Sequence, residues 1–137
     1  MMRVSQALAV VLAALTAAVA AGQAASSANR TTASFYSPGR NLGCELDDRR
    51  AGVPNQVFCQ SLKAPHSVKL GLNGQIKVCR GESCLGNPGE GTPVLPYGRQ
   101  ITVGRFRCFS LTAGVKCIVI SSGRGFLIDK AGVRRLG

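Results

Sequence analysis

The chain has 137 residues, 17 of them lysine or arginine against 6 acidic ones, with six cysteines, one histidine and no tryptophan. That length supports one hydrophobic core and not two. The composition also excludes familiar chemistries: a lone histidine with no C-x-x-C pair leaves no zinc pattern, and no Walker-type glycine loop is present to cradle a nucleotide phosphate.

Residues 1–24 read as a secretory signal peptide. Arg3 lies in a short polar start, the run "ALAVVLAALTAAVAA" spans Ala7 to Ala21, and small residues offer cleavage after Ala20 or Ala24. The run is short for a membrane span, which needs about 20 apolar residues, and the first cysteine is Cys44, far from any lipid-anchor position. The mature chain is therefore expected to carry no membrane span and to be secreted or extracellular. Loss of Arg3 leaves 16 basic against 6 acidic residues, a net +10 that favours anionic partners.

Residues 25–33, "ASSANRTTA", are small and polar and predict a disordered lead-in, so one β-rich domain is expected over 34–137. Glycines and all 6 prolines recur every few residues, with no long apolar stretch at helical period and no visible internal repeat. Short strands joined by turns follow, giving an all-β class: a small disulfide-stabilised antiparallel β-sandwich or partly open barrel. Asp47 and Asp48 beside Arg49 and Arg50 predict a charged loop tip, and His66 in "LKAPHSVK" predicts a solvent-facing loop entry.

Two segments allow register to be read. In "SVKLGLNGQIKVC" a three-residue loop, Leu72-Asn73-Gly74 with Gly74 left-handed, pairs Leu70 with Ile76 and Val68 with Val78. It also stacks Lys69 opposite Lys77 on the outer face, a like-charge pair unless an anion or solvent intervenes. Along "QITVGRFRC" the apolar period of two slips at Gly104, which predicts a glycine bulge within one strand. Phe106 and Cys108 then point inward and the "LTAG" turn (111–114) pairs Cys108 with Cys117. Arg105 and Arg107 face outward over Ile118 and Ile120, and Phe106 is lost as a stacking platform, so no specific nucleic-acid partner is expected.

Six cysteines allow fifteen pairings. Strand register favours Cys44–Cys59 across a long hairpin and Cys108–Cys117 across "LTAG"; Cys79–Cys84 around "RGES" is expected separately, from Gly81 easing a tight turn and from Ser67, not a cysteine, standing opposite Cys79. No cofactor or metal is called for.

The segments "FYSPGRNLGC", "PVLPYGRQITVGRFRC", "GVKC" and "GRGFLIDKAG", in that order, resemble a family of small secreted domains of unknown function found mainly in actinobacteria. The resemblance covers about residues 34–132 and implies an exported β-rich domain with disulfides; the family brings no activity, substrate or catalytic residue. The chain departs from its pattern in a long Cys44–Cys59 loop, in lacking a cysteine near His66-Ser67, and in carrying Cys84.

The catalytic inventory is thin, so the first expectation is a non-enzymatic binding or structural module of the cell envelope or medium. Its partner would be an anionic cell-envelope polymer, held through Lys69, Lys77, Arg105, Arg107 and Lys116. A small secreted hydrolase or nuclease using His66 is the second expectation. An inhibitor-like module presenting residues 85–98 is the third.

Overall fold

The computed structural model describes residues 13–14 and 29–137, so the expected signal peptide, apart from residues 13–14, and residues 25–28 of the lead-in lie outside the described residues. The N-terminal half holds β1 (Thr32–Tyr36), β2 (Leu42–Asp47), β3 (Gln56–Ser61), β4 (His66–Gly71) and β5 (Ile76–Arg80), followed by one 3-10 turn at Glu82–Cys84. The C-terminal half holds β6 (Gln100–Val103), β7 (Phe106–Leu111), β8 (Gly114–Val119), β9 (Gly125–Ile128) and β10 (Val133–Leu136). Each half is one antiparallel meander, ordered β1-β2-β3-β4-β5 and β10-β9-β8-β7-β6. The two sheets do not join into a closed ring, and the fold is the expected all-β, disulfide-stabilised sandwich. The domain also starts earlier than expected, because Thr32 and Ala33 already pair with Asp47 and Leu46.

The strands form because apolar residues recur at every second position and glycine- or proline-bearing turns separate them. In β2 and β3, Leu42, Cys44 and Leu46 face Val57 and Cys59 along one side, which is buried. The N-terminal sheet contributes Phe35, Leu46, Val57, Val68 and Leu70 to the core, and the C-terminal sheet contributes Val103, Phe106, Val115, Phe126 and Ile128. Complete burial of such side chains stabilises by roughly 1.5–3 kcal/mol each, an upper range.

The halves repeat one plan that the sequence conceals. Cys44 is the third residue of β2 and Cys108 the third of β7; Cys59 is the fourth of β3 and Cys117 the fourth of β8. All three expected disulfides form, with Cα–Cα separations of 4.1 Å for Cys44–Cys59, 4.1 Å for Cys108–Cys117 and 5.6 Å for Cys79–Cys84. The two core bridges meet between the sheets, where the Cys59 and Cys117 Sγ atoms lie 3.8 Å apart. Cys44, Cys59 and Cys117 sulfurs cluster closely enough to suggest a metal site, but each is already bonded in a disulfide and offers no thiolate.

Both register expectations hold. Leu70 pairs with Ile76, Val68 with Val78 and Lys69 with Lys77, and Gly74 has φ 79°. Cys108 pairs with Cys117 and Phe106 with Val119; the loop between β7 and β8 is Thr112-Ala113, because Leu111 and Gly114 still pair. The bulge at Gly104 is corrected. Gly104 and Arg105 form a two-residue hairpin loop between β6 and β7, with Val103 directly opposite Phe106. A bulge and a two-residue turn both displace the apolar period by one, so the pattern alone could not separate them. Gly104 has φ 52° while Arg105 keeps a negative φ, the arrangement of a hairpin turn with glycine first. A Cβ on Gly104 would also collide with the Asp48 carboxylate.

That carboxylate overturns the charged-tip expectation. The Asp48 side chain is completely buried, accepts the Arg105 backbone N–H at 2.8 Å, and takes the Arg105 guanidinium in a two-pronged contact through Nε at 3.0 Å and Nη2 at 2.6 Å. Asp47 is buried too, with Arg50 Nη1 3.0 Å from it. His66 is likewise not solvent-facing. It is 2 % exposed, with Nδ1 2.6 Å from the Ala64 carbonyl and Nε2 3.0 Å from the Asp129 carbonyl of the opposite sheet. Asp48 and His66 thus tie the two halves together at separate places.

Candidate functional site

On the outer face of the N-terminal sheet, alternation sets two rows of side chains across the strands. One runs Tyr36, Gly43, Gln60, Ser67, Cys79 and the other Ser34, Glu45, Phe58, Lys69, Lys77. After β5 the chain turns back over this face as a strap. Its near end is held by the Cys79–Cys84 bridge. Its middle is held by Gln60, whose Nε2 donates to the Gly86 carbonyl at 3.1 Å while its Oε1 accepts the Gly86 N–H at 2.7 Å. Its far end adds a parallel bridge to the free edge of β1, with the Tyr36 N–H donating to the Pro93 carbonyl and the Leu95 N–H to the Tyr36 carbonyl, both at 2.8 Å. Residues 85–98 are therefore pinned to the sheet at Gly86 and at 93–95, while most of their side chains, Val94 and Tyr97 among them, stay exposed.

The strap makes a groove out of an otherwise flat face. On one flank a cleft of about 220 Å³ is lined by Ser34, Glu45, Gln56, Phe58 and Asn87. Sharing Phe58 and Gly86 with it, a second cleft of about 370 Å³ is lined by Ser67, Lys69, Lys77 and Ser83. On the other flank a cleft of about 340 Å³ lies among Tyr36, Asn41, Gly43 and Glu82. Phe58 is the centre of the row, with an acidic end on one side and a basic end on the other.

The ends differ in how their charge is handled. Glu45 is 3.7 Å from Arg50 and 3.5 Å from the Ser34 hydroxyl. Its carboxyl titrates above the usual carboxylate value, first because it shares a hydrogen bond with Asp47 and then because of burial. Lys69 and Lys77 oppose each other directly, and among the described residues neither has a carboxylate within salt-bridge distance. A group with negative charge placed between them would relieve their repulsion and meet the Ser67 and Ser83 side chains lining the same cleft.

The five candidate anion-binding cations lie in different parts of the molecule. Lys69 and Lys77 lie in the groove of the N-terminal sheet, whereas Arg107 and Lys116 lie on the outer face of the C-terminal sheet. Arg105 is engaged with Asp48, which is held below the usual carboxylate range chiefly by the Arg105 hydrogen bonds. Arg107 Nε donates to Thr102 Oγ1 at 3.1 Å, and Lys116 Nζ sits 5.4 Å from the Phe109 ring centroid.

Sequence reasoning missed Phe58, Ser67, Ser83 and the strap contact at Gly86. The first was available in "QVFCQS", where Val57 and Cys59 point inward and so Phe58 and Gln60 point outward. As a catalytic base His66 is poorly placed, since both ring nitrogens already meet backbone carbonyls.

Fold and site together define a small disulfide-bridged β-sandwich with a strap-walled groove on one face. Comparison with protein-family models, with curated proteins and with solved structures finds no match to this chain. No helix among the described residues is long and apolar enough to cross a membrane.

Proposed function

We propose that this domain is a non-enzymatic binding module of the cell envelope or medium, and that its groove holds an anionic group carried on an envelope polymer. The observation that carries this reading is the Lys69–Lys77 pair: two cations set directly opposite one another, in a cleft, without an acidic partner among the described residues. A phosphate, sulfate or carboxylate would sit between the ammonium groups, and the adjoining unit of the polymer would lie over Phe58 toward Glu45 and Gln56. The net charge of +11 over the whole chain adds long-range attraction. We further infer that the chain is exported and belongs with the small secreted actinobacterial domains it resembles; the three disulfides, with no free cysteine among the described residues, support the first part.

The test is retention on purified cell wall and on an anionic resin of matched charge density, each measured against salt. Wall binding should exceed resin binding at physiological salt and weaken as salt rises, because screening and counterion release both act on it. Lys69→Gln with Lys77→Gln should reduce the wall-specific part about tenfold or more, at a cost of roughly 1–2 kcal/mol of charged hydrogen bonding. Wall binding equal to resin binding, or unchanged in the double variant, would dispose of the groove as the binding site.

A further inference from the structure

The outer face of the C-terminal sheet has the same position in its half that the groove has in the other, but no described segment makes a hydrogen bond across it. Its strands present Phe109, Ile118 and Leu127 outward near the middle, with Leu111 and Ile120 at the ends 36 % and 38 % exposed. Between them stand Arg107, Lys116 and, opposite Leu127, Arg134. None of these three cations has a carboxylate within salt-bridge distance among the described residues, and no acidic residue lies on the face. The half as a whole is charged to match: residues 93–137 contain eight basic residues and one acidic, net +7, against eight and five, net +3, for residues 29–92.

We propose that this face is a docking surface for a bilayer carrying anionic phospholipid headgroups. The surface demands a partner that is apolar and anionic at once. A hydrophilic polyanion would satisfy Arg107, Lys116 and Arg134 but leave Ile118, Leu127 and Ile120 in water. A second copy of the chain would cover the aliphatic side chains but bring two unneutralised cationic triads face to face. An anionic lipid interface meets both requirements, since long basic side chains reach headgroup phosphates while their stems and the apolar residues between them sink toward the acyl boundary. The sheet satisfies its own backbone groups apart from its edges, so shallow docking on one face leaves no new unpaired donors in the apolar layer. This inference is independent of the groove reading, because the groove lies on the opposite side of the sandwich.

The absence of tryptophan gives a clean reporter. Phe109→Trp places a single fluorophore on the docking face and Phe58→Trp places one in the groove. With vesicles of phosphatidylglycerol and phosphatidylcholine, the Phe109→Trp emission should shift to shorter wavelength and be quenched by brominated acyl chains. The Phe58→Trp emission should do neither, and vesicles of phosphatidylcholine alone should leave both unchanged. In co-sedimentation, Arg107→Gln and Lys116→Gln should each weaken vesicle binding about fivefold, the effect of one basic residue near an anionic surface. Ile120→Ser, at a strand end where folding is least affected, should weaken it about threefold or more, while Lys69→Gln with Lys77→Gln should leave site-specific quenching intact. Binding that responds to the arginine and lysine changes but shows no quenching at Phe109→Trp and no loss in Ile120→Ser is charge adsorption, and overturns the proposal. So does concentration-dependent dimerisation that hides the Phe109→Trp reporter without lipid, which would assign the face to a second copy.

Discussion

The two halves of the sandwich share a strand plan and differ in everything that connects the strands. In each, a cystine joins the second and third strands at matching pleat positions, and the two cystines touch in the core. The N-terminal half then diverges through a long β2–β3 hairpin, a third cystine and the strap, while the C-terminal half closes its β6–β7 and β7–β8 hairpins with two-residue loops. The long hairpin is not ornamental: it delivers Asp48 to the Gly104-Arg105 turn of the other half. The common frame fixes the core, and the additions on one half turn a flat sheet face into a groove.

Removing cystines one at a time gives the largest expected effects and asks how far the halves are equivalent. Cys44→Ala with Cys59→Ala opens a loop of 15 residues and Cys108→Ala with Cys117→Ala one of 9, which chain-entropy estimates put at about 3 and about 2.5 kcal/mol. Either loss is a large fraction of the stability of a domain this size, so both variants should show strongly lowered denaturation midpoints and full reduction should unfold the chain. Cys79→Ala with Cys84→Ala should instead leave the near-core thermal transition largely in place, because that bridge is outside the core and anchors the strap. A midpoint drop equal to the other two would mean that the strap is part of the folding unit.

Asp48 is where the N-terminal half grips the C-terminal half. Asp48→Ala should cost about 2–3 kcal/mol, less than the loss of a fully buried pair because Arg105 is 42 % exposed and can be rehydrated. The Arg105 contact lowers the Asp48 titration point, so the stabilisation is present above the ordinary value near 3.8 and is lost as pH falls through the lowered folded value. Denaturation midpoints of Asp48→Asn measured against pH should therefore show a shallower acid limb than the parent. Glu45 carries the opposite sign. Its titration point is raised in the folded state, so its contribution weakens as pH rises past about 4.5, and Glu45→Gln should remove that slope.

These ties also mark the limit of what the sequence disclosed. The β4–β5 and β7–β8 registers and the Cys44–Cys59 and Cys108–Cys117 cystines were legible because hairpin pairing is local and side chains alternate with a strict period of two, whereas Cys79–Cys84 was read from Gly81 and from Ser67 opposite Cys79. The Gly104 turn was misread because a bulge gives the same apolar slip. Asp48 with Arg105, 57 positions apart, and His66 with Asp129, 63 apart, depend on how the sheets stack, which no local pattern encodes. The duplicated plan was hidden for a related reason. Apart from the cysteines and Val57 with Val115, equivalent core positions carry different apolar residues, such as Leu42 and Phe106, Val68 and Phe126, or Leu70 and Ile128, so the strands share pleat positions with little residue identity. Of the candidate site, the Lys69–Lys77 opposition was readable, whereas the strap that walls it rests on one glutamine meeting the backbone of Gly86.

That glutamine allows the groove to be opened without disturbing the frame. Gln60→Ala removes both hydrogen bonds to Gly86 and should lower global stability by about 1–2 kcal/mol, since the strap lies outside the core. Amide exchange should accelerate at Gly86 and its neighbours and stay unchanged in the C-terminal sheet. Wall retention should fall with it. Acceleration spread evenly over both halves would deny the strap a separate existence.

The smallest effect on stability is expected at the lysines, and its sign is what matters. Lys69 and Lys77 are directly opposed in neighbouring strands, an arrangement that costs a few tenths of a kcal/mol when nothing negative lies between them. Lys69→Gln or Lys77→Gln alone should therefore raise the denaturation midpoint slightly in low salt, and the gain should shrink as salt screens the pair. Lys116→Gln, the matching test in the C-terminal half, should lower it slightly, because Lys116 faces the Phe109 ring and has no like charge opposite. Adding inorganic phosphate should stabilise the parent more than either groove variant, since only the parent offers both ammonium groups. If Lys69→Gln destabilised the fold and phosphate did not distinguish it from the parent, the pair would be an ordinary solvated surface feature, and the contrast between the two outer faces would reduce to the strap.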